Sequence, residues 1–366
     1  MVKFLHTADW QIGETFHFLG ERSLYLKDAR VGAVQRIAEL AVDEAVDFVL
    51  VAGDVFEFAH PDRISLQRLA RAMRTYQGPW LLLPGNHDPA VPNGIWDQLT
   101  DASNFSEEVI FMTTAVPVFL DGCKTAVLPA PLRARYAGRD LSDDIDRMES
   151  PSDYLRIGVA HGAVRGILPE QAEVNNPIAA DRVERARLDY LALGDWHGFY
   201  RINERTFYSG TPETDRFTQN DSGSVAIVKI AGPGELPVVS QHRTSHFVWH
   251  EKVVNIGGPM DLDRLEHELQ GFGESDVVKL TIRGYVDLEG LQSLGVLEED
   301  MRARVQVLDW DADGVELAPS DEEIASLALQ GVNGLVLERL FERRASLDRG
   351  VFRRAVIELL ALDEVR

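Results

Sequence analysis

The sequence predicts a layered α/β fold with a smaller α/β second domain and C-terminal helices, and three observations predict it. Short apolar, β-branched runs alternate with stretches of helical periodicity through the first half of the chain, which is the pattern of strands and helices stacked in layers. Side chains with ligating or acid–base chemistry recur just after those runs, where open α/β sheets place their ligand sites. The pattern then changes after Gly232-Pro233-Gly234, where a second unit begins.

Taken in order, residues 2–8 read as a strand, and a loop leads from them into a long helical stretch over about 21–45. Residues 48–52 are apolar and β-branched and stop at Gly53-Asp54, as a buried parallel strand does. A helix over about 63–76 precedes a strand at 80–83 that ends in Pro84-Gly85-Asn86-His87. Further strands are expected at 109–112, 117–120, 125–128, 156–160 and 190–193, and runs at 207–210 and 225–230 close a first domain spanning 1–240. A strand at 247–254, a helix at 262–269, a strand at 277–285, a helical stretch and a strand at 304–308 make a β-α-β-α-β unit within 245–320. The remainder, 321–366, reads as helices, with Phe352, Val356, Leu359 and Leu360 at helical spacing and arginines on the other face.

Composition narrows the function classes. The 366 residues are 45% apolar, as in an ordinary soluble globular protein, and are too many for one small core. The opening residues MVKFLHTADW lack the features of a signal peptide, and no apolar run is long enough to cross a bilayer. The single cysteine, Cys123, allows neither an internal disulfide nor a cysteine-based zinc site, and suits a reducing cytoplasmic compartment. The net charge of −22 argues against bulk electrostatic capture of nucleic acid. That charge is uneven: residues 287–323 carry twelve acids against two arginines, whereas 338–366 carry seven arginines against six acids. Bound cations would offset local acids and leave room for a small DNA-facing surface.

Five segments belong together: Asp9-Trp10-Gln11, Gly53-Asp54, Gly85-Asn86-His87-Asp88, His161-Gly162 and Gly194-Asp195-Trp196-His197. Each follows an expected strand and offers an oxygen or nitrogen ligand beside a small residue or turn. Glycine lets the backbone turn sharply, so that a side chain faces a shared cleft. Two divalent ions roughly 3.5–4 Å apart need several carboxylates, imidazoles and amides, one of them bridging. Singly, Asp9, Asp54 and Asp195 are also what helix caps and turns use; the ordered set is what points to a site.

In order and local sequence these motifs resemble the calcineurin-like metallophosphoesterases, a four-layer αββα sandwich. His6-Thr7-Ala8-Asp9-Trp10, Tyr208-Ser209-Gly210 and the added C-terminal part are similar to the SbcD-type DNA repair exonuclease branch. The motif resemblance covers about 240 residues; beyond them it rests on layout. It implies a two-metal phosphodiesterase acting as a DNA nuclease, exonuclease or endonuclease, in end processing and repair. Asp54 would bridge the two cations. Asp9 and His197 would hold the first, with Gln11 in its remaining position, and Asn86, His161 and Asp195 the second. His87 would contact the scissile phosphate or protonate the leaving oxygen, with Asp88 orienting its imidazole. Arg133, Arg135, His60 and Tyr208 are candidates for substrate contact. The resemblance also implies an SbcC-type SMC-like ATPase docked on the C-terminal helices, through Phe352, Val356 and Leu360, and a homodimer formed through the nuclease domain.

Two positions depart from the family pattern. Gln11 stands where a histidine of a D-x-H motif is usual, and Asp195 where the first histidine of a G-H-x-H motif is usual. Both changes make the donor set harder and richer in oxygen, which favours Mn2+ or Mg2+ over Zn2+. They leave open a scaffold protein of weakened activity, and the acidic charge leaves open a small nucleotide or pyrophosphate substrate. Gln11 is either a weak ligand or a loop residue that binds nothing. The arginines 182, 185 and 187 are either phosphate contacts or solvated surface, and His242, His246 and His250, in β-rich surroundings, form no ligand face.

Overall fold

The structure is a computed structural model and describes residues 1–14, 23–58, 61–101, 105–166, 176–217, 220–318, 332–348, 351–352, 354–356 and 359. The chain divides into two compact units, Met1–Phe247 and Val248–Arg366.

The first unit is built on two six-stranded sheets. One holds β1 (Val2–Thr7), β2 (Phe48–Val51), β3 (Trp80–Leu82) and β4 (Val109–Phe111) side by side and parallel. The other holds β6 (Thr125–Ala130), β7 (Leu155–His161), β10 (Tyr190–Gly194) and β12 (Thr206–Tyr208), also parallel. Antiparallel strands finish the edges. They are β13 (Ser224–Ile230) and β14 (Val238–Arg243) on the first sheet, and β5 (Val118–Leu120) and β11 (Tyr200–Arg201) on the second. The pair β8 (Ala163–Val164) and β9 (Pro177–Ile178) forms a short separate ladder.

The apolar pattern dictates this layering. Successive strand side chains point to opposite faces, and in β2 every residue is buried, so both faces must be covered. Phe4, Phe48, Leu50 and Leu81 turn inward and meet Val127, Ile157, Val159 and Tyr190 of the second sheet. Leu5, Val49, Val51, Trp80 and Leu82 turn outward, beneath helices α1 (Ser23–Asp43), α2 (Arg63–Met73) and α3 (Ile95–Asp101). The outer face of the second sheet packs against the 3-10 helix Leu141–Arg147 and α4 (Arg182–Ala186). The result is the four-layer α/β sandwich. Each large side chain buried between the sheets contributes about 1.5–3 kcal/mol relative to exposure.

Arg182, at the start of α4, is fully buried and pairs with Asp140 at 2.8 Å and with Asp143 and Asp146, all on or beside that 3-10 helix. Arg185 pairs with Asp143 and Asp146 at 3.4 and 2.7 Å. These two arginines therefore fasten two surface elements together, and Arg187 is left as exposed surface.

In the second unit β15 (Val248–Ile256), α5 (Pro259–Leu269), β16 (Asp276–Val286), α6 (Leu288–Arg304) and β17 (Val307–Leu317) form a three-stranded parallel sheet with its crossover helices. The last strand is longer than its sequence suggests. Asp309, Asp311 and Asp313 look like turn residues but alternate with Leu308, Trp310 and Ala312, so the acids share the exposed face. Helix α7 (Val332–Glu342) follows. Phe352 (6% exposed) and Val356 (0%) pack into this unit's core beside Leu337. They are thus not free to dock a partner; Leu360 lies outside the described residues.

His242, His246 and His250 have separate neighbours. The first meets Ser240, the second meets the Phe247 ring edge to face and the third lies 2.8 Å from Asp276.

Candidate metal centre

Each candidate ligand sits at or just after the C-terminal end of a parallel strand, on β1, β2, β3, β7 and β10. The loops after β1 and β2 are zipped together, because the N–H groups of Asp9, Gln11 and Ile12 donate to the carbonyls of Gly53, Asp54 and Val55. Asp9, Gln11, Asp54 and Asp195 all lie at positive φ, between 44° and 99°. That conformation is costly outside glycine and persists where the surroundings enforce it, as at functional sites. Gly53 is required: at φ 96° it passes so close to His161 that a Cβ would overlap the imidazole. Gly85 is required because a Cβ there would overlap the Asp54 carboxylate.

The side chains converge. Ligand atoms of Asp9, Asp54 and His161, all buried, lie within 4.8 Å of one another. From His161 Nε2, the Asp54 carboxylate is 3.3 Å away, that of Asp195 3.8 Å, that of Asp9 4.0 Å and Oδ1 of Asn86 2.8 Å. His161 Nδ1 donates to the Ala52 carbonyl at 2.8 Å, which turns Nε2 inward. His197 presents Nε2 to the amide of Gln11 at 3.4 Å. Gln11 is 4% exposed and so lies inside the site rather than on a solvated loop.

The electrostatics suit a cation. Burial pushes the acid of Asp9 up, and Asp54 adds to this against the pull of His197 and His161. Burial also lifts Asp195, to about 6. His161 is raised well above an ordinary histidine: burial opposes its charge, but Asp54, Asp9 and Asp195 together outweigh it. Three carboxylates around one imidazole thus call for positive charge at this point. Carboxylates, imidazoles and an amide around one buried point form a donor set for divalent ions.

Residues 2–228 match the model of the calcineurin-like phosphoesterases, well over half of the chain. The chain belongs to that family. It is 24% identical over 369 residues to the DNA double-strand break repair protein Mre11 of Methanosarcina acetivorans, covering 95% of this chain and 56% of that one. It is 26% identical over 303 residues to one subunit of the nuclease SbcCD of Bacillus subtilis, covering 71% of each. Among solved structures, purple acid phosphatase PPD1 from yellow lupin (Lupinus luteus) seeds matches 66% of this chain and 51% of its own, at 12% identity and a TM-score of 0.41. The chain therefore spans about half the length of the Methanosarcina relative. Among the described residues, no helix is long and apolar enough to cross a membrane.

Within this calcineurin-like phosphoesterase, His87 lies at the edge of the cluster. Its backbone N–H donates to Asp54 at 2.9 Å and its ring Nε2 is 3.9 Å from the same carboxylate. The ring's partner is Glu57, 3.1 Å from Nδ1, and not Asp88. The Asp88 carboxylate instead accepts from the N–H groups of Gly85 and Phe56, so it braces the loop that carries His87. The hydrogen bond to Glu57 leads in raising His87 to about 9, with Asp54 adding to it.

Tyr208 lies beneath the site, with its hydroxyl engaged by the segment after β7. It is fully buried, donates to the Gly162 carbonyl and accepts from the Val164 N–H. Arg133 and Arg135 are exposed on the loop after β6, and Leu132 joins that loop to the His87 loop through Pro84 and Ala90. His60 lies outside the described residues.

Two residues that the sequence did not single out complete the site. Glu57 meets His87 from 30 positions away, and Asp215 meets His197 from 18. Burial works against the charge of Asp215, but His197, Arg216 and Arg30 hold its carboxyl well below the usual range.

Proposed function

We propose that this chain is a two-metal phosphodiesterase that cleaves DNA, the nuclease component of an end-processing and repair complex. One observation carries the reading: Asp9, Asp54 and His161 meet within 4.8 Å at the strand ends of a calcineurin-like chain. The names of its Mre11 and SbcCD relatives support DNA as substrate.

Asp54 would be shared in holding the cations, with Asp9, His197 and the amide of Gln11 holding the first and Asn86, His161 and Asp195 the second. The oxygen-rich set favours Mn2+, with Mg2+ next. Bound there, the cations would polarise the phosphoryl oxygens and stabilise the charge that develops on them. His87, held by Glu57, contacts the scissile phosphate and gives its proton to the leaving oxygen. Arg133 and Arg135 take the neighbouring phosphates of the strand.

In the same reading, residues 1–240 are the nuclease domain and 245–320 an accessory domain that caps DNA. An SbcC-type ATPase docks on 321–366. Since Phe352 and Val356 are buried, the docking face is the exposed Val332, Leu335 and Val336 of α7. The setting is the cytoplasm.

Linear duplex DNA, single-stranded DNA and a chromogenic phosphodiester, each incubated with Mn2+, Mg2+, Zn2+ or a chelator, test the reading. Mn2+-dependent DNA cleavage that Asp54→Asn abolishes is expected. Turnover of the ester without DNA cleavage would overturn the substrate, and no hydrolysis with any metal would overturn the activity.

A further inference from the structure

An imidazole holds a cation through a lone pair, so its other nitrogen must carry the proton and something must keep the ring from turning. For His161 that partner is the Ala52 carbonyl. For His197 it is a side chain: Nδ1 lies 2.9 Å from Oδ2 of Asp215. Asp215 is itself buried and held from two sides. Arg30 donates to Oδ2 at 3.2 Å, and Nε of Arg216 donates to Oδ1 at 2.9 Å. Arg30, on α1 and 2% exposed, also donates to the Trp10 carbonyl at 2.9 Å. One guanidinium therefore ties Asp215 to the backbone between Asp9 and Gln11.

The proton on Nδ1 follows from the partners. Nη2 of Arg216 is also 2.9 Å from Nδ1 and carries two hydrogens, one of which Oδ2 of Asp215 takes at 3.1 Å. A bare Nδ1 would set its lone pair against the Asp215 carboxylate, an acceptor only, at 2.9 Å, so that contact places the hydrogen on Nδ1. Nε2 is then bare, and it faces the amide of Gln11.

We infer that Asp215 is a positioning residue that fixes His197 as the Nδ1–H tautomer with Nε2 turned into the centre, and that Arg30 and Arg216 hold Asp215 in place. The consequence for metal binding rests on the reading of His197 as a ligand; the tautomer does not.

Two-bond 1H–15N spectra of the metal-free protein, labelled at histidine and recorded at pH 9, test it, with His197 assigned from the signal lost in His197→Gln. Wild type should show His197 with a protonated Nδ1 and a bare Nε2. Asp215→Ala should move it toward the Nε2–H form, while Asp215→Asn, which keeps an acceptor oxygen, should not. Calorimetric titration with Mn2+ should show Asp215→Ala weakened by roughly 10–100-fold, and Asp215→Asn by less. A bare Nδ1 in wild type overturns the inference. So does an Asp215→Ala protein with unchanged tautomer and affinity. Should Asp215→Ala fail to fold, the wild-type spectrum and Asp215→Asn decide. If wild type takes up no Mn2+ yet keeps the Nδ1–H form, the metal reading falls and the positioning of His197 stands.

Discussion

Asp9 is fully buried, has Asp54 as a like-charged neighbour, and is held by one backbone N–H, from Asp195, at 3.1 and 3.2 Å to its two oxygens. A carboxylate so placed costs stability until a cation arrives, since a buried charge must be paired to break even. Asp9→Asn should therefore stabilise the metal-free fold, by on the order of 1 kcal/mol, while removing the rise in melting temperature that Mn2+ gives to wild type. Thermal unfolding with chelator and with Mn2+ checks both. Glu57 and Asp215 show where reading the sequence stops. The ligand candidates share a local signature, a polar residue beside glycine or a turn after an apolar run. Glu57 and Asp215 have meaning only through rings 30 and 18 positions away, and no local pattern encodes that. Asp88 fails for the converse reason: adjacent to His87 in sequence, it turns to the backbone of Gly85 and Phe56.

Elements were legible where packing is two-sided. The strand at 48–52 and the one at 80–83 are apolar throughout because both of their faces are covered, and both lie within a residue of where the sequence placed them. Helices α3 and α4, of seven and five residues, and two-residue strands such as β11 have no periodicity to read and exist through their tertiary partners. Arg182 belongs at this scale. Arg182→Met would leave Asp140, Asp143 and Asp146 facing one another without their buried counter-charge, and should destabilise the protein by about 3 kcal/mol in urea unfolding. Glycine at the strand ends matters in the same way. Gly53→Ala must push His161 away from β2, so it should cost about 1–3 kcal/mol and weaken Mn2+ binding in calorimetry, whereas Gly122→Ala, where a Cβ meets nothing, should do neither.

At the scale of the whole molecule, a chain of net charge −22 that acts on DNA, as proposed, would hold it through few phosphate contacts. The salt dependence of binding should accordingly be shallow, about one unit of slope per arginine that neutralises a phosphate. Reversing Arg133 and Arg135 together to Glu should suppress DNA cleavage while sparing the chromogenic phosphodiester, as measured by their separate rates. The acidic composition and the nuclease reading are reconciled if cations at the strand ends bring the phosphates in where the protein surface does not. The most direct test is anomalous diffraction at the manganese edge from crystals grown with Mn2+. Two peaks flanking the Asp54 carboxylate are expected, one beside Asp9 and His197 and one beside Asn86, His161 and Asp195. Manganese bound elsewhere, with those side chains free of it, would contradict the account.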